Sequence, residues 1–350
     1  MSIPRTSKAF RRTEGDLPRT IEQTTESLPT VDELGPLDVL IKVHAVSLNF
    51  RDVAMLNGRY PVSVEDRGIP CSDCTAEVVA IGTSVRSFVL GDKVAPIFDV
   101  ANFSGLEDEP HCALGGSVAG VLREYAVFEE RLLVKLPEHL TWEEASTLTC
   151  AGVTAWVALD GLATERKDAS VLLQGTGGVS LFALALCIAN GTKAIITSSS
   201  DEKLEAVKKL GPDVHGINYK TTKSQKDAIL DITDGKGVDF VVNNTGPGSI
   251  PDDIEFLRAR GGTVSLIGFL DGLSGNWDPG AIMALLGKSA KIQGIAVGSK
   301  ADYQRMNKFI EEKKVNLAPI IGRVFSFEDS REAFDYLYSG QHTGKVVIKL

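Results

Sequence analysis

Cys71 and Cys74 are two residues apart in the stretch RGIPCSDCTAEVVAIG and are the first candidates for chemistry. Such a pair could ligate zinc, form a redox dithiol, or pack as two small side chains. Zinc needs two further ligands, which His111 and Cys112 in a long loop, or Cys150, could supply. A redox pair would begin a helix, whereas TAEVVAIG predicts a strand. We therefore expect two small buried side chains entering a packed strand, with zinc as the alternative.

A glycine-rich turn in VLLQGTGGVSLFALALC carries the clearest signal for ligand binding. A predicted strand leads into Gly175, and a predicted helix begins near Gly178 and Val179. Gly175 permits the tight turn, and Gly177 lets the backbone approach a pyrophosphate, which the free N–H groups and dipole of the helix N-terminus attract. Ser180 replaces the third glycine of the usual pattern and is small enough for close packing. This context predicts a dinucleotide site.

The end of the next predicted strand, TSSS, bears on which dinucleotide is bound. An NAD site usually has an acidic residue there for the ribose 2′-hydroxyl. The strand instead ends in Ser198 and Ser199, and Asp201 follows after the next helix should have begun. Lys203 in that first turn opposes the helix dipole, which indicates an anionic partner. We therefore predict NADPH (NADP) rather than NADH. Alternatively, Ser199 and Glu202 form a capping box and Lys203 is an ordinary surface lysine.

The elements that must position these residues fall into two patterns. The first 150 residues contain short strands broken by glycine and proline, such as DVLIKVHAVSLN and REYAVFE, which indicates a β-rich, barrel-like domain. From about residue 141, helices alternate with Val- and Ile-rich strands, as in a parallel sheet buried on both faces. Residues 98–116 predict a long loop. The tail predicts two helices and a closing strand, GKVVIKL, that returns to the first domain.

Composition limits the classes of function. A chain of 350 residues is long enough for two domains. Its net charge of −9 argues against nucleic acid or an anionic membrane as the main partner. The basic N-terminal stretch lacks the apolar core of a secretory signal. Five cysteines do not make a disulfide framework, so we expect reduced thiols and a cytoplasmic protein.

Five blocks of sequence together resemble the medium-chain dehydrogenase/reductase superfamily, in particular its zinc-type alcohol dehydrogenase-like and quinone oxidoreductase-like branch. They are SLNFRD, IPCSDCTAEVVAIG, LQGTGGVSLFALAL, TSSSDEK and GKVVIKL. The resemblance implies an α/β fold with a Rossmann doubly wound parallel sheet and a GroES-like β-rich substrate domain. It places the substrate domain at 1–145, the dinucleotide domain at 146–299 and a returning C-terminal part at 300–350.

The resemblance also bears on metal. In zinc members, a Cys, a His and a second Cys bind the catalytic ion. These positions fall on Asn49, Ser72 and Cys150, and the first two are poor zinc ligands. The structural zinc of the superfamily needs four closely spaced cysteines, and the 98–116 loop has only Cys112. The resemblance therefore implies an enzyme with no metal, with a zinc-dependent alcohol dehydrogenase as the alternative.

Without zinc, other groups must stabilise charge on the substrate oxygen. The resemblance implies that Asn49 and Asp52 line the active site and that Tyr60 donates a proton. Tyr60 could instead pack as an aromatic beside Pro61, and Arg51 could be a structural ion-pair partner. The expected function is NADPH-dependent hydride transfer to an activated C=C or C=O of a quinone, enone or aldehyde. A non-catalytic cofactor-binding protein is a further alternative.

The remaining cofactor contacts are carried over from the superfamily. They are Thr154 near the nicotinamide, Tyr219 near the adenosine phosphate, Asn244 and Gly246 at the ribose, and Gly268, Phe269, Leu270, Val297, Gly298 and Ser299 along the nicotinamide.

Assembly can be predicted from KIQGIAVG at 291–298, which reads as the last strand of the nucleotide-binding sheet. In the superfamily this strand lies at an open edge. No proline or charge guards it between Ile292 and Val297, so pairing with a second copy is favoured. We expect a homodimer with a two-fold axis, unless the helix at 301–313 covers the edge.

Overall fold

The computed structural model describes residues 3–62, 64–162 and 166–350. It divides into two compact units. Unit 1 comprises residues 1–151 and 298–350, and unit 2 comprises residues 152–297. Within the described ranges, each helix is too short or too polar to cross a membrane.

The strands alternate with turns in unit 1 and with helices in unit 2. They are β1 Thr6–Arg12, β2 Ile21–Ser27, β3 Asp38–Ser47, β4 Asp73–Ile81, β5 Lys93–Pro96, β6 Tyr125–Glu129, β7 Leu133–Lys135, β8 Ser170–Gln174, β9 Lys193–Ser198, β10 Val214–Asn218, β11 Phe240–Asn243, β12 Thr263–Leu266, β13 Lys291–Gly294, β14 Ile321–Ser326 and β15 Lys345–Lys349.

The α-helices lie mainly between the strands of unit 2 and in the C-terminal part of the chain. They are α1 Phe50–Leu56, α2 Trp142–Ala145, α3 Val153–Ala158, α4 Gly178–Asn190, α5 Asp201–Lys208, α6 Gln225–Ile232, α7 Ile250–Phe256, α8 Ala284–Lys288, α9 Lys300–Lys313 and α10 Ser330–Tyr338.

Unit 1 is built on a seven-stranded mixed sheet in the order β14-β15-β3-β4-β5-β7, with β6 also paired to β3. The C-terminal strand β15 runs antiparallel to β3, with Val347 opposite Ser47. The segment GKVVIKL therefore lies in the sheet of unit 1. On the other side of β3, Ser47 lies opposite Asp73 of β4. Three strands from distant parts of the chain thus bring their ends together.

Unit 2 is a six-stranded sheet in the order β10-β9-β8-β11-β12-β13, and every neighbouring pair is parallel. Counted from β8, this is the strand order 3-2-1-4-5-6 of a dinucleotide-binding fold. β11 is buried along its whole length, as expected for a parallel strand covered on both faces. The predicted α/β class, a doubly wound parallel sheet plus a β-rich domain, is confirmed.

Two local predictions were wrong. The edge strand β13 ends at Gly294 instead of residue 298, and Val297 has a φ of 68°, which extended backbone cannot accommodate. The N-cap of α5 is Ser200, not Ser199, because the Ser200 hydroxyl accepts the bond from the backbone N of Lys203. At the start of α2, Thr141 and Glu144 form a capping box.

Candidate active site and cofactor pocket

The glycine turn of unit 2 leaves a helix N-terminus open. Gly175 follows β8 with a φ of 77°, a value that favours glycine. Gly177 is the N-cap of α4 and has no side chain to occupy the first N–H groups of this 13-residue helix. A Cβ atom added at Gly175 or Gly177 would meet nothing within 4 Å. The turn therefore offers free backbone donors to an anionic ligand.

A cavity of about 300 Å³ lies at the carboxyl ends of the parallel strands. Four predicted cofactor residues line it, namely Gly175, Tyr219, Asn244 and Leu270. The sequence prediction missed the remaining lining residues, Leu172, Gln174, Thr197, Gln225, Thr245, Ser249, Asp252, Asp253, Phe256 and Asp271. Ligands of open α/β sheets bind at this edge, outside the carboxyl ends of the strands.

Asp253 is the centre of a buried network beside the cavity. Its carboxylate accepts hydrogen bonds from Gln174 Nε2 at 2.8 Å, Asn243 Nδ2 at 2.6 Å and Ser249 Oγ at 3.0 Å. Burial raises the pKa of Asp253 to about 7, although these three donors lower it. Gln174 Oε1 in turn accepts from the backbone N and the hydroxyl of Thr245. The network therefore holds the loop that follows β11.

The same loop is also tied to the glycine turn. Asn244 Nδ2 donates to Gln174 O at 3.1 Å and to Ser180 Oγ at 2.9 Å. Gly246, with a φ of 114°, donates its N–H to Asn243 Oδ1. Ser180, which replaces the third glycine, thus links α4 to the predicted ribose contacts.

At the end of β9, internal hydrogen bonds hold some side chains of the serine-rich segment 198–200, while another is exposed. Ser198 is buried and its hydroxyl accepts from the backbone N of Ser200, whereas Ser199 is exposed. Asp201 Oδ1 accepts from Asn218 Nδ2 at 2.8 Å, which ties this acidic side chain to β10. The Tyr219 backbone N donates to Ser198 O, and the Tyr219 side chain is 46 % exposed.

The other predicted cofactor residues lie at several places. Gly268 and Phe269 follow β12; a Cβ atom at Gly268 would lie 2.8 Å from Asn244 O. Thr154 is buried in α3 of unit 2. Val297 ends unit 2, whereas Gly298 and Ser299 belong to unit 1. Ser299 caps α9 by bonding Asp302. None of these residues lines the described cavity, and their contact with a cofactor remains a prediction.

In unit 1, Asn49 is fixed at the start of α1. Its backbone N donates to Asp52 Oδ2 at 2.8 Å. Its side-chain Oδ1 accepts from Lys345 Nζ at 2.6 Å, and the same ammonium donates to Leu48 O at 2.7 Å. Lys345 is only 2 % exposed. The sequence prediction missed Lys345, although a lysine that begins an apolar strand was a usable signal.

Ser72 and Asp73 form a second buried group, at the start of β4. The Ser72 hydroxyl donates to Asp73 Oδ1 at 2.6 Å, and Asp73 Oδ2 accepts from the backbone N of Cys150 at 3.1 Å. Burial, with a contribution from Asp73, raises the pKa of the Cys150 thiol to about 12. Cys71 and Cys74 are both fully buried in the hydrophobic core of unit 1.

Arg51 is a buried cation beside Tyr60. Its Nη1 donates to Leu114 O at 2.9 Å and lies 3.8 Å from Asp52 Oδ1. The guanidinium carbon is 4.8 Å from the ring centre of Phe98 and 5.7 Å from that of Tyr60. Burial raises the pKa of Asp52, and the Arg51 charge opposes this effect. Arg51 is therefore not only an ion-pair partner of Asp52, since its charge also lies beside the Tyr60 ring.

Comparison with known proteins identifies the family. Residues 35–138 match the model of the alcohol dehydrogenase GroES-like domain, and residues 178–312 match that of zinc-binding dehydrogenases. A zinc-type alcohol dehydrogenase-like protein of Schizosaccharomyces pombe is 38% identical over 93% of this chain and 94% of its own length. The chain belongs to the medium-chain dehydrogenase/reductase superfamily.

Other medium-chain dehydrogenases/reductases agree with this assignment. A quinone oxidoreductase-like protein 2 homolog of Nematostella vectensis is 28% identical over 91% of this chain and 83% of its own length. The crystal structure of a candidate alcohol dehydrogenase from Sinorhizobium meliloti 1021 superposes with a TM-score of 0.89 at 32% identity, covering 99% of this chain and 100% of that one. The protein is an NAD(P)-dependent oxidoreductase of this superfamily.

In this medium-chain dehydrogenase/reductase, the residues at the positions of the zinc ligands do not fit a zinc ion, although the description of the matching family implies one. Asn49 Oδ1 is held by an ammonium group, and the Ser72 hydroxyl is a poor zinc ligand. Within the ranges that the structure describes, no three His, Cys, Asp or Glu side chains cluster in a way that could hold a metal ion. In the 98–116 loop, His111 Nδ1 pairs with Asp99 Oδ2 at 2.8 Å. The zinc-free enzyme remains a prediction, and we derive no chemistry from zinc.

Proposed function

We propose that this medium-chain dehydrogenase/reductase is an NADPH-dependent reductase of activated C=C or C=O groups in quinones, enones or aldehydes. The proposal depends mainly on the buried polar side chains of unit 1. Asn49 and Ser72, which stand where zinc members have metal ligands, are hydrogen-bonded to Lys345 and Asp73. Reduction of an activated substrate needs hydrogen-bond donors at its oxygen, which such a set can supply.

The preference for NADPH is supported by the end of β9. Ser199 is exposed there, and Lys203 follows in the first turn of α5. The nearest acidic side chain, Asp201, accepts a hydrogen bond from Asn218. Hydroxyl and ammonium groups suit a 2′-phosphate, whereas NAD sites use a carboxylate toward the 2′-hydroxyl.

The residues of unit 1 would divide the chemistry as follows. The bound cofactor supplies a hydride and is oxidised. Asn49 would donate a hydrogen bond to the substrate oxygen as that oxygen gains charge. Tyr60 would then donate its phenolic proton, and the neighbouring Arg51 cation would stabilise the phenolate until a proton returns from water. Asp52 fixes the backbone of Asn49 and partly balances the charge of Arg51.

A substrate panel tests the proposed function. Oxidation of NADPH and of NADH is followed with a quinone, an enone, an aldehyde and a saturated ketone, and zinc is measured on the same preparation. We expect turnover of at least one of the first three substrates, tighter binding of NADPH, and substoichiometric zinc. Cofactor binding without turnover would instead indicate a non-catalytic protein. About one tightly held zinc per chain would refute the metal-free site.

We also propose that two copies pair through β13. This strand lies at the edge of the six-stranded sheet, and its side chains are exposed or half-buried. Three large apolar side chains precede it on the surface, namely Ile282, Met283 and Leu286, the last of which is 76 % exposed. Antiparallel pairing about a two-fold axis would join both edges and bring these side chains close to their copies.

A further inference from the structure

The side-chain amide of Asn49 has one satisfied end and one unsatisfied end. Oδ1 accepts from Lys345 Nζ at 2.6 Å. Nδ2 is buried and has no hydrogen-bond partner among the described residues. A buried donor without an acceptor costs about 1–3 kcal/mol. Such a group requires an explanation, and a ligand that completes it in an active site is one.

Because lysine only donates hydrogen bonds, its contact with Asn49 determines which end of the Asn49 amide is left without a partner. An ammonium group has three donors and no acceptor, so the Asn49 atom bonded to it must be the carbonyl oxygen. Lys345 is itself fixed by a second bond to Leu48 O and is almost completely buried. The backbone of Asn49 is held by Asp52. The amide therefore cannot rotate to exchange its oxygen and nitrogen without leaving an ammonium group facing an NH₂ group.

We propose that Lys345 is a positioning residue that holds the Asn49 amide with Nδ2 as a fixed donor to the carbonyl oxygen of the substrate. This inference rests on the proposed function and specifies how a site of this composition stabilises charge. The reduced cofactor would supply a hydride to the substrate carbon, and the electron pair of the π system would move to the substrate oxygen. The Asn49 N–H bonds to that oxyanion, and the proton of Tyr60 completes the reduction.

A neutral amide donor also limits the class of substrate. The amide stabilises an oxyanion less strongly than a doubly charged metal ion would. Weakly basic anions, such as the enolate of an enone or the anion of a hydroquinone, need less stabilisation than the alkoxide of a simple ketone. The site therefore favours carbonyl groups conjugated to a C=C bond.

The test compares Lys345→Met and Lys345→Arg with a control, Lys349→Met, on the same strand. Lys349 is exposed and pairs with Glu143. With an enone or quinone and NADPH, we expect Lys345→Met to lower kcat about 100-fold, the loss seen when an oxyanion donor is removed. Its dissociation constant for NADPH should change by less than about twofold, because the glycine turn lies in unit 2. The kcat of Lys345→Arg should be at least about tenfold higher than that of Lys345→Met. The kcat of Lys349→Met should match that of the wild type.

Asn49→Asp supplies an independent variant. A carboxylate keeps the ion pair with Lys345 but has no donor, so kcat should fall at least as far as in Lys345→Met. This variant decides the matter if Lys345→Met does not fold. If folded Lys345→Met or Asn49→Asp has a kcat within about threefold of that of the wild type, the inference is wrong, whereas the proposed function is unaffected. A wild type that turns over no substrate of the panel refutes the proposed function and the inference together.

Discussion

Asp253 should make the stability of unit 2 depend on pH. Its side chain is 0% exposed, and burial raises its pKa from 3.8 to about 7. Between about pH 4 and pH 7, the folded chain therefore holds a proton that the unfolded chain has released. The free energy of unfolding should be highest below this window and should fall as the pH rises through it. A shift of about three pKa units corresponds to a loss of at most about 4 kcal/mol.

Asp253→Asn removes the titrating group and so tests this dependence. The two units need not unfold together, so the measurement is amide hydrogen exchange of the peptides that cover β11 and α7, corrected for the intrinsic effect of pH on exchange. Between about pH 5 and pH 8, the opening free energy of the wild type should fall relative to that of the variant by about 2–3 kcal/mol. Asp252→Asn is the matched control, since Asp252 is the exposed neighbour on the same helix.

A constant difference between the wild type and Asp253→Asn across this pH range would refute the reasoning. A wild type that becomes relatively more stable as the pH rises would show that the donors Gln174, Asn243 and Ser249 outweigh burial. Asp252→Asn should keep most of this pH dependence, because the Asp252 charge raises the pKa of Asp253 less than burial does. A control that instead follows Asp253→Asn would assign the effect to net charge rather than to the buried carboxyl.

Three further outcomes are expected. Lys203→Ala should weaken NADPH binding about tenfold or more while leaving NADH unchanged, as measured by titration of each cofactor, and an equal loss for both would contradict the 2′-phosphate contact. Tyr60→Phe should lower kcat about 100-fold or more with unchanged cofactor affinity, and wild-type turnover would remove Tyr60 as proton donor. Leu286→Glu should convert a homodimer to a monomer in light scattering without lowering the melting temperature, and a wild-type monomer at micromolar concentration would rule out pairing through β13.

The features that sequence predicted correctly depend on residues close together in the chain. The glycine turn at Gly175 and Gly177 was found because a strand, a turn and a helix follow one another within twenty residues. The parallel sheet was found because buried strands such as β8 and β11 are continuous apolar runs. Small errors arose at element ends, where one residue decides the boundary, as at Val297.

The groups that complete the candidate sites come from distant parts of the chain. Lys345 and Asn49 are 296 residues apart, and Gln174 and Asp253 are 79 residues apart. Asp253 reads in sequence as an ordinary acidic residue in the first turn of a helix. Only the pairing of β15 with β3 brings Lys345 to Asn49. Side chains alternate between the faces of a strand, so a shift of one residue in that pairing would turn the lysine to the opposite face. The register is set by packing of the whole sheet, which local sequence does not encode.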